Sequence, residues 1–401
     1  MKKVKTIITI LLVFILLCVS SLNIFAGQEP KNANAFENKE LVCAANKGDF
    51  SEYPECSLPA IKSAYEIGAK IVCVNLQKTK DNIFVVMEDA SLERTVLNEN
   101  GDFSGNVSDY TYEEISKGFL KNNDSTKSDL KVPTLEQALE AVADGCFLMI
   151  KNANEIYKQL PQTDKLIFRF ENLKTKEIRN IIESYNYNEN SPAFCFTYKG
   201  SIVFPALSRA KLTASTPFAS IIEFTSRNVN SIVFSEFLGD KIDNIGTVTV
   251  ADMTDYKKCG KRVDDSVGYD ELVRAGYDVI ITNHAKAMCN YIEDIEVAKK
   301  ELEVTLKEAQ KKYDNENCTA DTKKKLLWAM EESREALALS EIHTAINNIE
   351  DAEKNLVYSD NKQNFVTPVR VALVVLVGGI FAFIDVILYK KPKKSTKIDK
   401  E

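Results

Sequence analysis

Eight short runs rich in β-branched and aromatic residues recur through residues 38–290, and they constrain the fold more than any other feature. Helical stretches such as SLPAIKSAYEIG and TKEIRNIIESYN separate them. Strands that alternate with helices form a parallel sheet whose faces the helices cover. Eight such units in about 250 residues predict a closed (β/α)8 TIM barrel. The runs cover residues 41–45, 70–76, 146–151, 165–170, 193–197, 220–225, 246–251 and 277–282.

A long polar segment, residues 90–130, interrupts the alternation after the second run. It is rich in Asn, Asp, Ser and Gly, the residues that favour turns and loops. Barrels of this class carry their sites on the loops that follow the strands. The segment is therefore predicted to be an insertion on the rim of the site.

Residues 291–358 show a different pattern, with apolar side chains at three- and four-residue spacing, as at Leu326, Ala329 and Ala336. Three such stretches predict a small antiparallel helical bundle. In pattern the region resembles the three-helix repeat module of Gram-positive surface proteins. Our interpretation is a stalk that holds the barrel off a membrane; the alternative is an adhesion or envelope-spacing role carried by the module itself.

Both ends of the chain carry membrane signals. Residues 1–26 combine early lysines, an apolar run and small residues, which predicts a secretory signal peptide, either cleaved or retained as an anchor. Residues 369–389 include the apolar run Val371 to Tyr389, long enough to span a bilayer. The lysine-rich tail, residues 390–401, is then cytoplasmic by the positive-inside rule. The sequence predicts a single-pass protein of the cell membrane with most of the chain outside.

Charge and cysteine usage exclude other classes. The net charge of −7 and pI of about 5.3 argue against a nucleic-acid partner, which requires a basic face. Cys43, Cys73, Cys146 and Cys195 fall inside apolar runs, where a free cysteine packs as a small hydrophobe. Free core thiols are therefore predicted, and no paired CxxC motif indicates zinc.

Several short motifs occur in a fixed order through residues 40–290. They are CAANKG after the first run, Pro54-Glu55, TKDNIFVVMEDASLERT, VPTLEQAL, TVTVADMTDYKK and AGYDVIITNHA. Together they resemble the glycerophosphodiester phosphodiesterase family. The resemblance implies cleavage of the phosphodiester of a deacylated phospholipid, with Ca²⁺ or Mg²⁺ held by carboxylates and two histidines as general base and acid.

The residues at the family's catalytic positions depart from that chemistry. Asn46 and Lys47 stand where the family has the His-Arg of its first motif, and Glu88 stands at the second histidine. Asn cannot transfer a proton at neutral pH. The resemblance therefore implies a barrel without its catalytic histidines.

The metal positions have changed as well. The carboxylates of the second strand fall on Cys73 and Asn75, which share one face of that strand. The remaining carboxylate falls on Met149 or Lys151, depending on register. None of these is the oxygen donor set that a hard divalent cation prefers, so no metal or other cofactor is expected.

Lys47, Glu55, Glu88 and Lys151 remain as candidates for binding an anionic small molecule or a glycerophosphodiester. Lys151 either points inward, replacing the ion, or ends its strand and points to water. The sequence favours a catalytically inactive protein with a binding or structural role. The alternative is a divergent hydrolase that uses Glu88 as base and Ca²⁺ or Mg²⁺; His284 or a Cys73 thiolate is less favoured.

Overall fold

Eight parallel strands close into a barrel in a computed structural model. The strands are β1 (Val42–Asn46), β2 (Ile71–Val74), β3 (Phe147–Ile150), β4 (Leu166–Phe170), β5 (Ala193–Lys199), β6 (Ile221–Thr225), β7 (Val248–Asp252) and β8 (Val279–Thr282). β1 pairs with both β2 and β8, which closes the ring. The predicted barrel is confirmed.

The structure describes residues 40–358, apart from positions 100, 187, 189, 200–220, 226–247, 255–256, 259–260, 263 and 315–316. The predicted signal peptide (1–26), membrane segment (369–389) and basic tail (390–401) lie outside these residues. Within the described ranges, no helix is both long and apolar enough to cross a membrane. Cys18 and Cys259 also lie outside, whereas Cys43, Cys73, Cys146 and Cys195 are free and buried, as predicted.

Alternation along the strands builds two apolar layers. One side-chain set points into the barrel, where Ala44, Cys73 and Met149 belong to a continuous buried cluster. The other set packs outward under the helices, as with Phe168 and Phe194, whose rings stack at 6.1 Å. At the carboxyl ends of the strands the inward positions become polar. The candidate site therefore lies at this end of the barrel.

Within the described residues, five helices cover the barrel or its insertion. They are α1 (Leu58–Glu66), α2 (Tyr112–Ser116), α3 (Leu135–Glu140), α4 (Thr175–Ser184) and α5 (Ser266–Arg274). Their starts follow from capping residues: the Ser57 side chain accepts from the Ala60 N–H at the start of α1. Thr134 and Gln137 form a capping box at the start of α3.

The insertion after β2 has a core of its own. Short antiparallel strands pair within it, and Val85, Leu92, Val96 and Ile115 are fully buried together. The strands are Leu76–Lys78, Phe84–Val86, Val96–Asn98, Gly101–Asp102 and Phe119–Leu120. The segment that presents Glu88 and Arg94 to the site is therefore a packed element.

Three further helices form the C-terminal module, α6 (Ala285–Tyr313), α7 (Ala320–Glu332) and α8 (Leu339–Lys354). The eighth barrel helix and the first module helix are one helix, α6, so the predicted boundary between residues 290 and 291 falls inside it. α7 ends at Glu332, and a 3₁₀ turn at Ser333–Glu335 follows it before α8 begins.

Candidate functional site

The turn after β1 forms one wall of the site, and its backbone is tightly constrained. Lys47 and Gly48 have φ angles of 67° and 81°. A Cβ on Gly48 would lie 2.7 Å from the carbonyl carbon and oxygen of Ala60, so only glycine fits. The Asp49 carboxylate accepts hydrogen bonds from Ser51 and Ser63, at 2.6 and 2.9 Å. These contacts fix where Asn46 and Lys47 stand.

The mouth of the barrel is its opening at the carboxyl ends of the strands, and Lys151 occupies its centre. Its Nζ lies 2.8 Å from Oδ1 of Asn46 and 2.8 and 2.9 Å from the carboxylate oxygens of Glu88. Asn46 in turn donates from Nδ2 to Oδ1 of Asn283, at 2.8 Å. The Lys151 side chain is only 12% exposed, so of the two orientations considered it takes the inward one.

The predicted metal positions also meet in the barrel, and their donors do not suit a hard cation. Cys73 Sγ lies 3.7 Å from Met149 Sδ, both fully buried. Asn75 is turned away, donating to the Glu88 carbonyl at 3.1 Å. The two sulfur atoms and the nearby Lys151 ammonium do not fit Ca²⁺ or Mg²⁺, which take oxygen ligands. Among the residues that the structure describes, no three His, Cys, Asp or Glu side chains are grouped to hold a metal ion.

Cys73 is a protonated core thiol. Burial raises its pKa to about 12, and the charge of Lys151 only partly offsets this effect. A nucleophilic cysteine requires the thiolate at neutral pH. The geometry therefore gives no support to a thiolate centre at Cys73.

A second ion-pair chain borders the mouth. Lys47 Nζ donates to Glu55 at 3.2 Å, and Arg94 bridges Glu55 and Asp89. Burial alone would raise the pKa of Glu55, but the Arg94 hydrogen bond and the Lys47 charge hold it below its ordinary value. Glu55 is thus an ionised partner of two cations.

A third cluster lies inside the barrel and was not predicted. Arg169 donates to both oxygens of Glu223 at 2.5 Å, contacts Asp252 at 3.3 Å and contacts Glu171 at 2.6 Å. Burial raises the pKa of Glu223, and Arg169 acts in the opposite direction. The sequence does contain a signal for this cluster. Arg169 in LIFRF and Glu223 in IIEFT are single charges at inward positions of otherwise apolar runs.

His284 does not join these clusters. It is exposed, stands directly before α6 and makes no capping hydrogen bond with its side chain. His343 lies on α8, in the module. Neither histidine is positioned with Glu88 and Lys151, so the structure does not assemble a substitute acid–base pair from them.

Among the described residues of the mouth, the positive charges are paired with negative ones. Each cation has an acidic partner, in the pairs Lys47–Glu55, Arg94–Asp89, Lys151–Glu88 and Arg169–Glu223. An incoming anion must therefore compete with a carboxylate already in place. The arrangement can hold the barrel ends together through these ion pairs.

Comparisons with known proteins agree with the motif resemblance. Residues 47–198 match the model of the "Glycerophosphoryl diester phosphodiesterase family". A glycerophosphodiester phosphodiesterase of Caldanaerobacter subterraneus is 34% identical over 154 residues, 37% of this chain and 59% of the relative. One of Bacillus altitudinis is 29% identical over 146 residues, 36% of this chain and 57% of the relative. The chain thus spans less than two thirds of either relative's length.

A solved structure of similar fold is a glycerophosphoryl diester phosphodiesterase from Parabacteroides distasonis. It has a TM-score of 0.49 and 18% identity, and the match covers 65% of this chain and 89% of the other. The predicted family resemblance is confirmed for the barrel region by the match at residues 47–198.

Proposed function

Because residues 47–198 carry a domain of the glycerophosphoryl diester phosphodiesterase family, we propose that this chain is a catalytically inactive relative of those enzymes. In this proposal the barrel is tethered to the outer face of the cell membrane and has a binding or structural role. The apolar segments at residues 1–26 and 369–389 support the tether.

One observation carries the proposal: the Lys151 ammonium lies between Glu88 and Asn46, at 2.8 Å from each. By the family resemblance, Asn46 and Glu88 stand at the two histidine positions. Proton transfer needs a group that titrates near neutral pH, and an amide cannot supply it. The Glu88 carboxylate is already hydrogen-bonded through both oxygens to the Lys151 ammonium.

The ion pairs of Lys151 and Lys47 also affect how strongly the mouth could bind an anionic ligand. A glycerophosphodiester entering the mouth would meet Lys151 and Lys47 already bound to Glu88 and Glu55. Its phosphate would have to displace a carboxylate, which would leave Glu88 partly buried without its cation, whereas Glu55 would keep Arg94. The proposal therefore assigns the mouth weak affinity for phosphodiesters and gives more weight to a structural role.

The test is a hydrolysis assay on the full chain in detergent. Glycerophosphodiesters are incubated with the protein and Ca²⁺, Mg²⁺ or Mn²⁺, and released glycerol phosphate is measured. The matched control is Glu88→Gln, which removes the proposed alternative base with little change in shape. We expect no metal-dependent release above this control.

Metal-dependent hydrolysis that Glu88→Gln abolishes would overturn the proposal. It would establish the divergent hydrolase that uses Glu88 as base.

A further inference from the structure

The direction of α6 relates the barrel mouth to the module. α6 starts just past the carboxyl end of β8 and runs back along the barrel, where Cys43 Sγ contacts the Ala285 carbonyl at 3.8 Å. A Cβ on Gly68 would lie 3.9 Å from Cys289 Sγ. Since Gly68 precedes β2, α6 has already reached the amino-terminal ends of the strands at Cys289.

The rest of α6 projects beyond that end of the barrel. From Cys289 to Tyr313 the helix extends about 36 Å, at 1.5 Å per residue. α8 begins beside the barrel, where Arg274 of α5 donates to Glu341 at 2.7 Å and Ser340 N donates to Asp270 at 3.2 Å. Two helices of the module, α6 and α8, therefore contact the barrel.

The described chain leaves the module at its far end, which we call the tip. Thr319, which precedes α7, donates from its N–H to the Val357 carbonyl at 2.8 Å. Cys318 and Tyr358 form an isolated β-bridge. The tip and the mouth thus lie at opposite ends of one elongated body, since the mouth is at the carboxyl ends of the strands.

We propose that the mouth of the barrel faces away from the membrane, an inference that rests on the membrane attachment in the proposed function. Residues 359–370 join the tip to the apolar run that begins at Val371 and reach about 43 Å at most when fully extended. α6 alone is about 42 Å long. Placing the mouth on the bilayer would require the connector to run back fully stretched along the module, which costs most of its conformational entropy.

This orientation limits the source of any ligand. Asn46, Glu88 and Lys151 are presented to the space outside the cell. A lipid head group of the anchoring bilayer lies at the other end of the molecule. In this orientation a ligand of the mouth would come from the medium outside the cell, not from the anchoring bilayer.

The test measures energy transfer from three labelled sites on the full chain to an acceptor lipid in liposomes. The exposed positions are Asp314→Cys at the tip, Asp144→Cys before β3 and Glu155→Cys after β3. The last two flank one strand and so form a matched pair. The unsubstituted chain measures background labelling of native cysteines.

We expect transfer efficiency to fall in the order Asp314→Cys, Asp144→Cys, Glu155→Cys. Equal efficiencies, or higher efficiency at Glu155→Cys than at Asp144→Cys, in a chain that floats with the liposomes would overturn the orientation alone. A full chain that does not float with liposomes would overturn the membrane attachment together with the orientation.

Discussion

Nζ of Lys151 lies 2.8 Å from Oε1 of Glu88, and this pair joins the end of a barrel strand to the insertion after β2. The two side chains are 12% and 20% exposed, so each charge depends on the other for compensation. Removing one partner leaves an uncompensated charge in a poorly solvated site.

Lys151→Met is therefore expected to lower the free energy of unfolding by about 3 kcal/mol. Chemical denaturation of the purified chain measures the change. The double variant with Glu88→Gln should lose less than the sum of the single variants, because both charges are then absent. Additive losses would show that the pair contributes no coupling.

Arg169→Met should destabilise the barrel by about 3 kcal/mol or more, because it leaves Glu223 fully buried without its cation. The matched control is Arg179→Met, an exposed residue of α4, which should change stability by about 0.5 kcal/mol or less. Denaturant midpoints measure both. Similar losses in the two variants would contradict a structural role for the Arg169 cluster.

Glu55 should contribute stability that acid removes. Its folded-state pKa is lowered by Arg94 and Lys47, so its contribution is fully present above its unfolded pKa of about 4.3 and is lost as pH falls through the folded pKa. Compared with Glu55→Gln, the unsubstituted chain should be about 1–2 kcal/mol more stable at pH 7. The difference should vanish at strongly acid pH. A constant difference from pH 7 to pH 2 would contradict this assignment.

Divalent metal should not raise the melting temperature of the chain as it stands, because Cys73 and Met149 offer only sulfur and Asn75 offers a single amide oxygen, whereas Ca²⁺ takes several oxygen ligands. Cys73→Glu/Asn75→Asp/Met149→Glu should melt lower without metal, because its added carboxylates are buried without partners. It should gain about 2.7 kcal/mol at a Ca²⁺ concentration 100 times its Kd. A calcium-dependent gain in the unsubstituted chain would contradict the assignment.

The barrel strands could be predicted because each one combines an apolar run with flanking turns, and both signals are local. Lys151 could not be oriented from sequence, because it follows the last residue of β3, where the alternation no longer dictates a face. The cluster around Arg169 was missed for a different reason. It exists only because β4, β6 and β7 bring their ends together, which depends on closure of the whole ring.

The predicted boundary between residues 290 and 291 lies within one continuous helix. The apolar spacing shifts there because α6 exchanges its packing partner, the barrel wall for α8, and the helix itself continues. Helical spacing of apolar residues continues through Ala336, although the helix ends at Glu332 and the backbone turns at Ser333–Glu335.

The continuity of α6 also has a mechanical consequence. A load applied at residue 358 enters the module through α8 and reaches α6 by the packing of α8 against it. α6 packs in turn against β1, the strand that ends in Asn46. A load at the tip would therefore reach the wall of the site through two helix-packing interfaces.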